Sequence, residues 1–199
     1  MSIKKQLRRL RREEAGFSLV ELLAVMAILL TVLGTLTVLM VSATKSEVDL
    51  TLRVQAQQEA RLALELMRRD VHCASSTSLA PDTAASLVTL TIPPTCPSAG
   101  GSTAITWCTA ATGSGWALYR IPNITTCTTT AAGARKVADY LREEEPFTLR
   151  TALDKFPRLC TVFPVDVDNT DIGRAYRLKD FLVMRNSSTR GTSGTQTCV

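Results

Sequence analysis

The 199-residue chain has a single histidine, His72, and no C-x-x-C pair, glycine-rich phosphate loop, G-x-S-x-G elbow or H-E-x-x-H run. These absences remove the usual sequence signs of a zinc site, a nucleotide site, an α/β hydrolase and a zinc protease. The stretch from Ser42 to Ala74 contains neither Pro nor Gly, so nothing there breaks a helix. No internal repeat is evident. The chain does not read as an enzyme, and no metal or cofactor is expected.

A basic footprint is missing too, although the formal charge is +5. The first sixteen residues, MSIKKQLRRLRREEAG, carry six Lys or Arg and two Glu, a net +4 that leaves only +1 for the rest. A nucleic-acid surface needs clustered positive charge, and the remainder lacks it. The run RRLRRE is open to reading as an anionic-lipid patch, but it is more simply a leader that stays cytoplasmic by the positive-inside rule.

What the chain does have is a long apolar run from Phe17 to about Val41, interrupted by Glu21, Ser18 and a few Thr. As a helix it would be ~37 Å long against a hydrocarbon core of about 30 Å, enough to span a bilayer with the N-terminus inside. A secretory signal ends its apolar region at a small-residue cleavage site; here the small residue, Gly16, precedes that region. Glu21 is the anomaly, since a charge within a membrane helix costs roughly 2.5–3.5 kcal/mol on translocon scales.

Beyond the span, Val48, Leu52, Ala56, Ala60, Ala63, Met67, Val71 and Ala74 recur at steps of three or four. That spacing predicts one apolar stripe on an amphipathic helix over 42–74, which needs a cover. Ser, Thr and Pro in residues 75–86 mark a loop. Strands are then expected at 86–92, 103–109, 115–121, 158–168 and 174–185, from their β-branched and aromatic content. The segment 128–147 is ambiguous, Val137 to Glu145 being open to a short helix. The expected fold is α+β: a long N-terminal helix packed against an antiparallel β-sheet head spanning 75–199.

All six cysteines, Cys73, Cys96, Cys108, Cys127, Cys160 and Cys198, fall beyond the membrane segment. An even count on the external side favours disulfides, and fifteen connectivities are open. Cys198 is placed to pin a polar tail.

The stretch GFSLVE, behind a basic leader and ahead of about twenty apolar residues, resembles the processing signal of type IV pilins and type II secretion pseudopilins. The resemblance implies that a membrane-embedded prepilin peptidase cuts after Gly16 and methylates the new amine of Phe17. It also answers for Glu21, which would neutralise that amine on a neighbouring subunit, other pilins and an inner-membrane assembly platform being the implied partners. The simpler alternative pairs Glu21 with its own amine or the interface, and the rival function is a signal-anchored surface protein that never polymerises and carries a disulfide-rich binding or adhesin head. Arg61, Ala63, Leu64, Glu65, Arg69 and Asp70 match a run similar to that of W-type minor pilins and J-type minor pseudopilins. Such a subunit sits in the inner membrane, N-in and C-out, before entering an extracellular or periplasmic filament, and would meet nucleic acid only in a DNA-uptake pilus. Two departures stand out: the apolar segment has no Pro, Gly34 being its one soft point, and six head cysteines exceed what most relatives carry.

Other residue groups have plainer readings. Asp166, Asp168 and Asp171 offer calcium chemistry but fail the EF-hand spacing and read as a hairpin turn. His72 beside Cys73 suggests a Cys–His nucleophile, yet no acidic or amide partner is recognisable, so it reads as a helix-end residue. Trp107, Trp116 and Tyr119 read as core aromatics before a binding face. Asn123 and Asn186 begin short N-x-S/T sequons of little weight.

Overall fold

A computed structural model describes residues 18–113, 115–167, 175–191 and 198. The chain falls into two compact units, Met1–Val48 and Asp49–Val199. The helix α1 (Leu19–Cys73) contributes to both, and everything after it belongs to the second.

In the first unit, the described residues are helical from Leu19 onward and almost wholly exposed. In the second, α1 turns its stripe inward: Ala56, Ala60, Ala63, Met67, Val71 and Ala74 are buried, and Leu52 is half-buried. The alanines bring the helix backbone close to the sheet, while Met67 and Val71 each contribute roughly 1.5–3 kcal/mol of burial. Val48, expected on the stripe, is instead 55% exposed. It stands two turns before the first fully buried position, so periodicity marked the correct face and overran its end.

The cover is a curled antiparallel sheet, which makes the fold α+β. Its strands are β1 (Ser76–Thr77), β2 (Ala84–Ala85), β3 (Leu87–Thr91), β4 (Ala104–Thr112), β5 (Gly115–Pro122), β6 (Arg135–Leu141), β7 (Phe147–Arg150), β8 (Arg158–Val165) and β9 (Tyr176–Val183). The order across the sheet is β1-β3-β4-β5-β6-β8-β7-β2, with β9 added on β8. Ile105, Trp107, Leu118, Phe147 and Phe163 join the helix stripe in one core, and the rings of Phe147 and Phe163 meet edge to face at 6.3 Å.

The ambiguous segment resolves as a strand and not a helix: β6 occupies Arg135–Leu141, with Leu118 opposite Ala138 and Trp116 opposite Leu141. A free edge on β5 and core sites for Ala138 and Leu141 outweigh the helix-forming composition of the segment. Tyr140 has φ of 61°, a left-handed value no helix interior takes, and Asp139 Oδ1 accepts the Tyr140 amide at 2.9 Å. Nor would Glu143 to Glu145 suit a helix C-terminus, whose partial charge is negative. Gly115 (φ 137°) opens β5 where an added Cβ would lie 2.5 Å from the Leu141 carbonyl oxygen, so only glycine lets the two strands meet.

Three disulfides join Cys73 to Cys96, Cys108 to Cys127 and Cys160 to Cys198, with Cα separations of 6.1, 5.8 and 5.9 Å that suit the bond. Each ties an irregular segment to a regular element. The first fastens the loop after β3 to the end of α1. The second holds the segment after β5 over the outer face of β4, where the Thr106 hydroxyl also donates to the Ile124 carbonyl. That cover explains why β4 is buried on both faces from Ile105 to Thr109. The third brings Cys198 to β8.

Candidate functional site

The described chain begins at Ser18, whose carbonyl accepts the amides of Glu21 at 2.9 Å and Leu22 at 3.1 Å. Ser18 therefore stands at the N-cap of α1 and Glu21 three residues on, the S-x-x-E spacing of a capping box. A carboxylate in the first turn also meets the positive end of the helix dipole. Gly16 and Phe17 lie outside the described residues.

From Leu19 to Val41 the polar side chains are Glu21, Thr31, Thr35 and Thr37. Each threonine hydroxyl donates to a carbonyl one turn back, Thr31 to Ile28, Thr35 to Val32 and Thr37 to Leu33, all at 2.8 Å. Their hydrogen-bonding needs are met within the helix, as a hydrocarbon environment requires. Among the described residues no group partners the Glu21 carboxylate. The aliphatic side chains around it are half to three-quarters exposed, and the segment is long and apolar enough to cross a membrane. The arrangement is a hydrocarbon-compatible surface with one carboxylate at its amino-terminal end that has no side-chain partner among the described residues.

Residues 11–43 match the prokaryotic N-terminal methylation motif. The match covers Gly16, Phe17, Glu21 and the apolar helix. It supports a type IV pilin-like chain, a substrate of prepilin peptidase anchored by a single membrane pass. No curated protein and no solved structure matches the chain.

In the second unit the helix is clamped to the sheet by ion pairs. Arg53 bonds Asp49 at 2.8 Å and the buried Asp166 at 3.2 Å, and Arg68 bonds both Glu65 and Asp180. Those carboxylates raise the Arg68 pKa, the hydrogen bond to Asp180 being the largest influence. A third clamp centres on the buried Asp70, 1% exposed. Its carboxylate accepts Arg120 Nε at 2.8 Å, Arg120 Nη2 at 3.2 Å and Trp107 Nε1 at 3.1 Å, while Arg120 Nη2 also donates to the Ser98 carbonyl at 2.8 Å. Asp70 falls in the run from Arg61 to Asp70, and that run by itself gives it no partner. The signal was available: positions 67, 70, 71 and 74 share one helical face, and an acid among buried positions calls for a cation.

The remaining candidates have structural positions. Asp166 serves the clamp to Arg53, and Asp168 and Asp171 lie outside the described residues. No metal-holding cluster occurs among the described residues. Cys73 is in a disulfide, which removes the thiolate a Cys–His nucleophile would need, and burial with the charges of Arg185 and Arg68 lowers the His72 pKa. Trp107 is fully buried; Trp116 and Tyr119 are half-buried on β5. Asn123 accepts the Thr103 amide at 3.1 Å, and Asn186 Nδ2 donates to the Cys73 carbonyl at 3.1 Å, closing the end of α1.

Proposed function

We propose that this chain is a minor pilin or pseudopilin, cut after Gly16, methylated on Phe17 and drawn into a type IV pilus-like filament whose assembly it helps to initiate or cap. In this reading residues 1–16 are a discarded leader, 17–41 the membrane and polymerisation helix, 42–74 its amphipathic continuation and 75–199 the exported head. Hydrolysis of the Gly16–Phe17 peptide bond leaves a carboxylate on the leader and a protonated amine on Phe17. The observation that carries the reading is the match over residues 11–43, which includes Glu21, a carboxylate without a partner among the described residues.

The mechanism is non-covalent. Helices leaving the bilayer exchange lipid for one another, and a carboxylate in that setting favours any register that brings a positive group to it. The Phe17 amine of an adjacent subunit supplies that group. Removing one partner then costs more than the pair contributes, which makes the charge a register code. The particular machine, whether pilus, secretion system or DNA-uptake device, is set by partners that share the helix.

The capping position of Glu21 favours a rival in which the side chain only starts its own helix. Gln serves a capping box as well as Glu does, so Glu21→Gln separates the two. The pairing reading expects the Gln chain to insert normally and to fall several-fold in the sheared filament fraction, alongside Glu21→Ala. Wild-type filament levels of the Gln chain would leave only the capping role.

A further inference from the structure

Within the second unit a hollow of about 780 Å³ opens between α1, β6 and the loop after β3. Leu62 and Leu66 of α1, 64% and 40% exposed, form an apolar wall with Val137 of β6. Arg69, Arg120, Arg135 and Lys136 surround it. Asp70, the acid in its lining, is held by Arg120, and Lys136 is paired with Asp139 at 2.7 Å. Among the described residues Arg69 and Arg135 have no ion pair, so two cations face an apolar hollow unpaired.

The complementary feature lies past the opposite end of β6. Glu143, Glu144 and Glu145 are consecutive and exposed, and Pro146 follows. Glu143 lines a smaller recess with Arg142, Arg177 and Lys179. Glu144 and Glu145 have no ion pair among the described residues. The Thr109 hydroxyl donates to the Glu144 carbonyl, so this acidic prong rises from an anchored backbone.

We infer that two copies of the head dock head to tail, with Glu144 and Glu145 of one copy entering the hollow of the next, between the partner's Arg69 and the partner's Arg135. Charge complementarity selects a second copy as occupant. Because the donor and acceptor surfaces sit at opposite ends of one strand, the contact is heterologous and repeats along a row of subunits. Each exposed charge pair is weak, and anchoring in a common membrane raises the effective concentration that makes such contacts count. The contact rests on membrane anchoring and is independent of cleavage.

The test is zero-length carbodiimide coupling of the full chain in lipid vesicles, mixing unlabelled and ¹⁵N-labelled copies. Carbodiimide activates a carboxylate, a neighbouring amine displaces the activating group as a urea, and an amide remains; Lys136 is the amine at the hollow. Docking gives mixed-label peptides joining Lys136 to Glu144 or Glu145. With Arg69→Glu and Arg135→Glu together their yield should fall about fivefold or more. The near-UV circular dichroism of that variant should match the wild type and report that the head is folded. Same-label products alone, or an undiminished yield in the doubly reversed chain, would overturn the contact. So would a DNA duplex whose binding depends on Arg69 and Arg135 and abolishes the cross-link, since the hollow would then be a nucleic-acid site. A Gly16→Leu chain should cross-link as well as the wild type, so failed docking with a normal Phe17 terminus counts against this contact alone.

Discussion

Replacing Asp70 by Ala should damage the head as much as truncating a core aromatic. The carboxylate is 1% exposed and joins α1 to β4 through Trp107 and to β5 through Arg120. Its loss leaves a largely buried guanidinium with the Ser98 carbonyl as its remaining acceptor and strands the indole N–H in the core. Breaking a buried ion pair from one side costs about 3–5 kcal/mol. For a chain of this size that is a fall in Tm of roughly 6–20 °C. Thermal unfolding of the full chain in detergent, followed by near-UV circular dichroism, reads the loss of packing around Trp107 and Trp116. The pair as a whole should matter less than either broken half, so Asp70→Leu with Arg120→Met should be more stable than Asp70→Leu alone. A cost below about 1 kcal/mol for Asp70→Ala would refute the reasoning. A double variant no better than the single would refute it too.

Converting Cys73 and Cys96 to Ala opens a link spanning 23 residues and should cost about 3 kcal/mol, measurable by urea titration. The pKa of His72 is lowered mainly by burial, so the unfolded chain binds the extra proton first as pH falls. The folded state should therefore lose stability on acidification below about pH 6.5, and His72→Gln should flatten a Tm profile between about pH 7 and 5. An unchanged slope in that variant would exclude His72 as the cause. Gly16→Leu should block maturation in a cell with active prepilin peptidase, and a mature-sized band on an immunoblot would contradict the proposed cut.

Much of the helix was legible because its period is local. The apolar span, the inward stripe from Ala56 to Ala74 and the breaker-free stretch between them follow from spacing alone. So do β3, β4, β5, β8 and β9, whose β-branched and aromatic residues announce themselves. The failures lie where tertiary contacts decide. Residues 137–141 carry helix formers, and only the open edge of β5 makes them a strand. Phe147–Arg150 is too short for alternation to register, and its pairing with β8 is set at a distance. The Asp70 clamp draws on residues 37 and 50 positions away, which no window along the chain brings together. At the amino-terminal end the signal is local: Gly16, Phe17 and Glu21 form a pattern within six residues, inside the matched residues 11–43.

The most direct test of the account is the mass of the amino-terminal peptide of the chain, extracted from membranes of a producing cell that has an active prepilin peptidase. The account requires that peptide to begin at Phe17 and to carry one added methyl group on its amine. A peptide that still begins at Met1, or that begins at Phe17 without the methyl in a peptidase-competent cell, would contradict it.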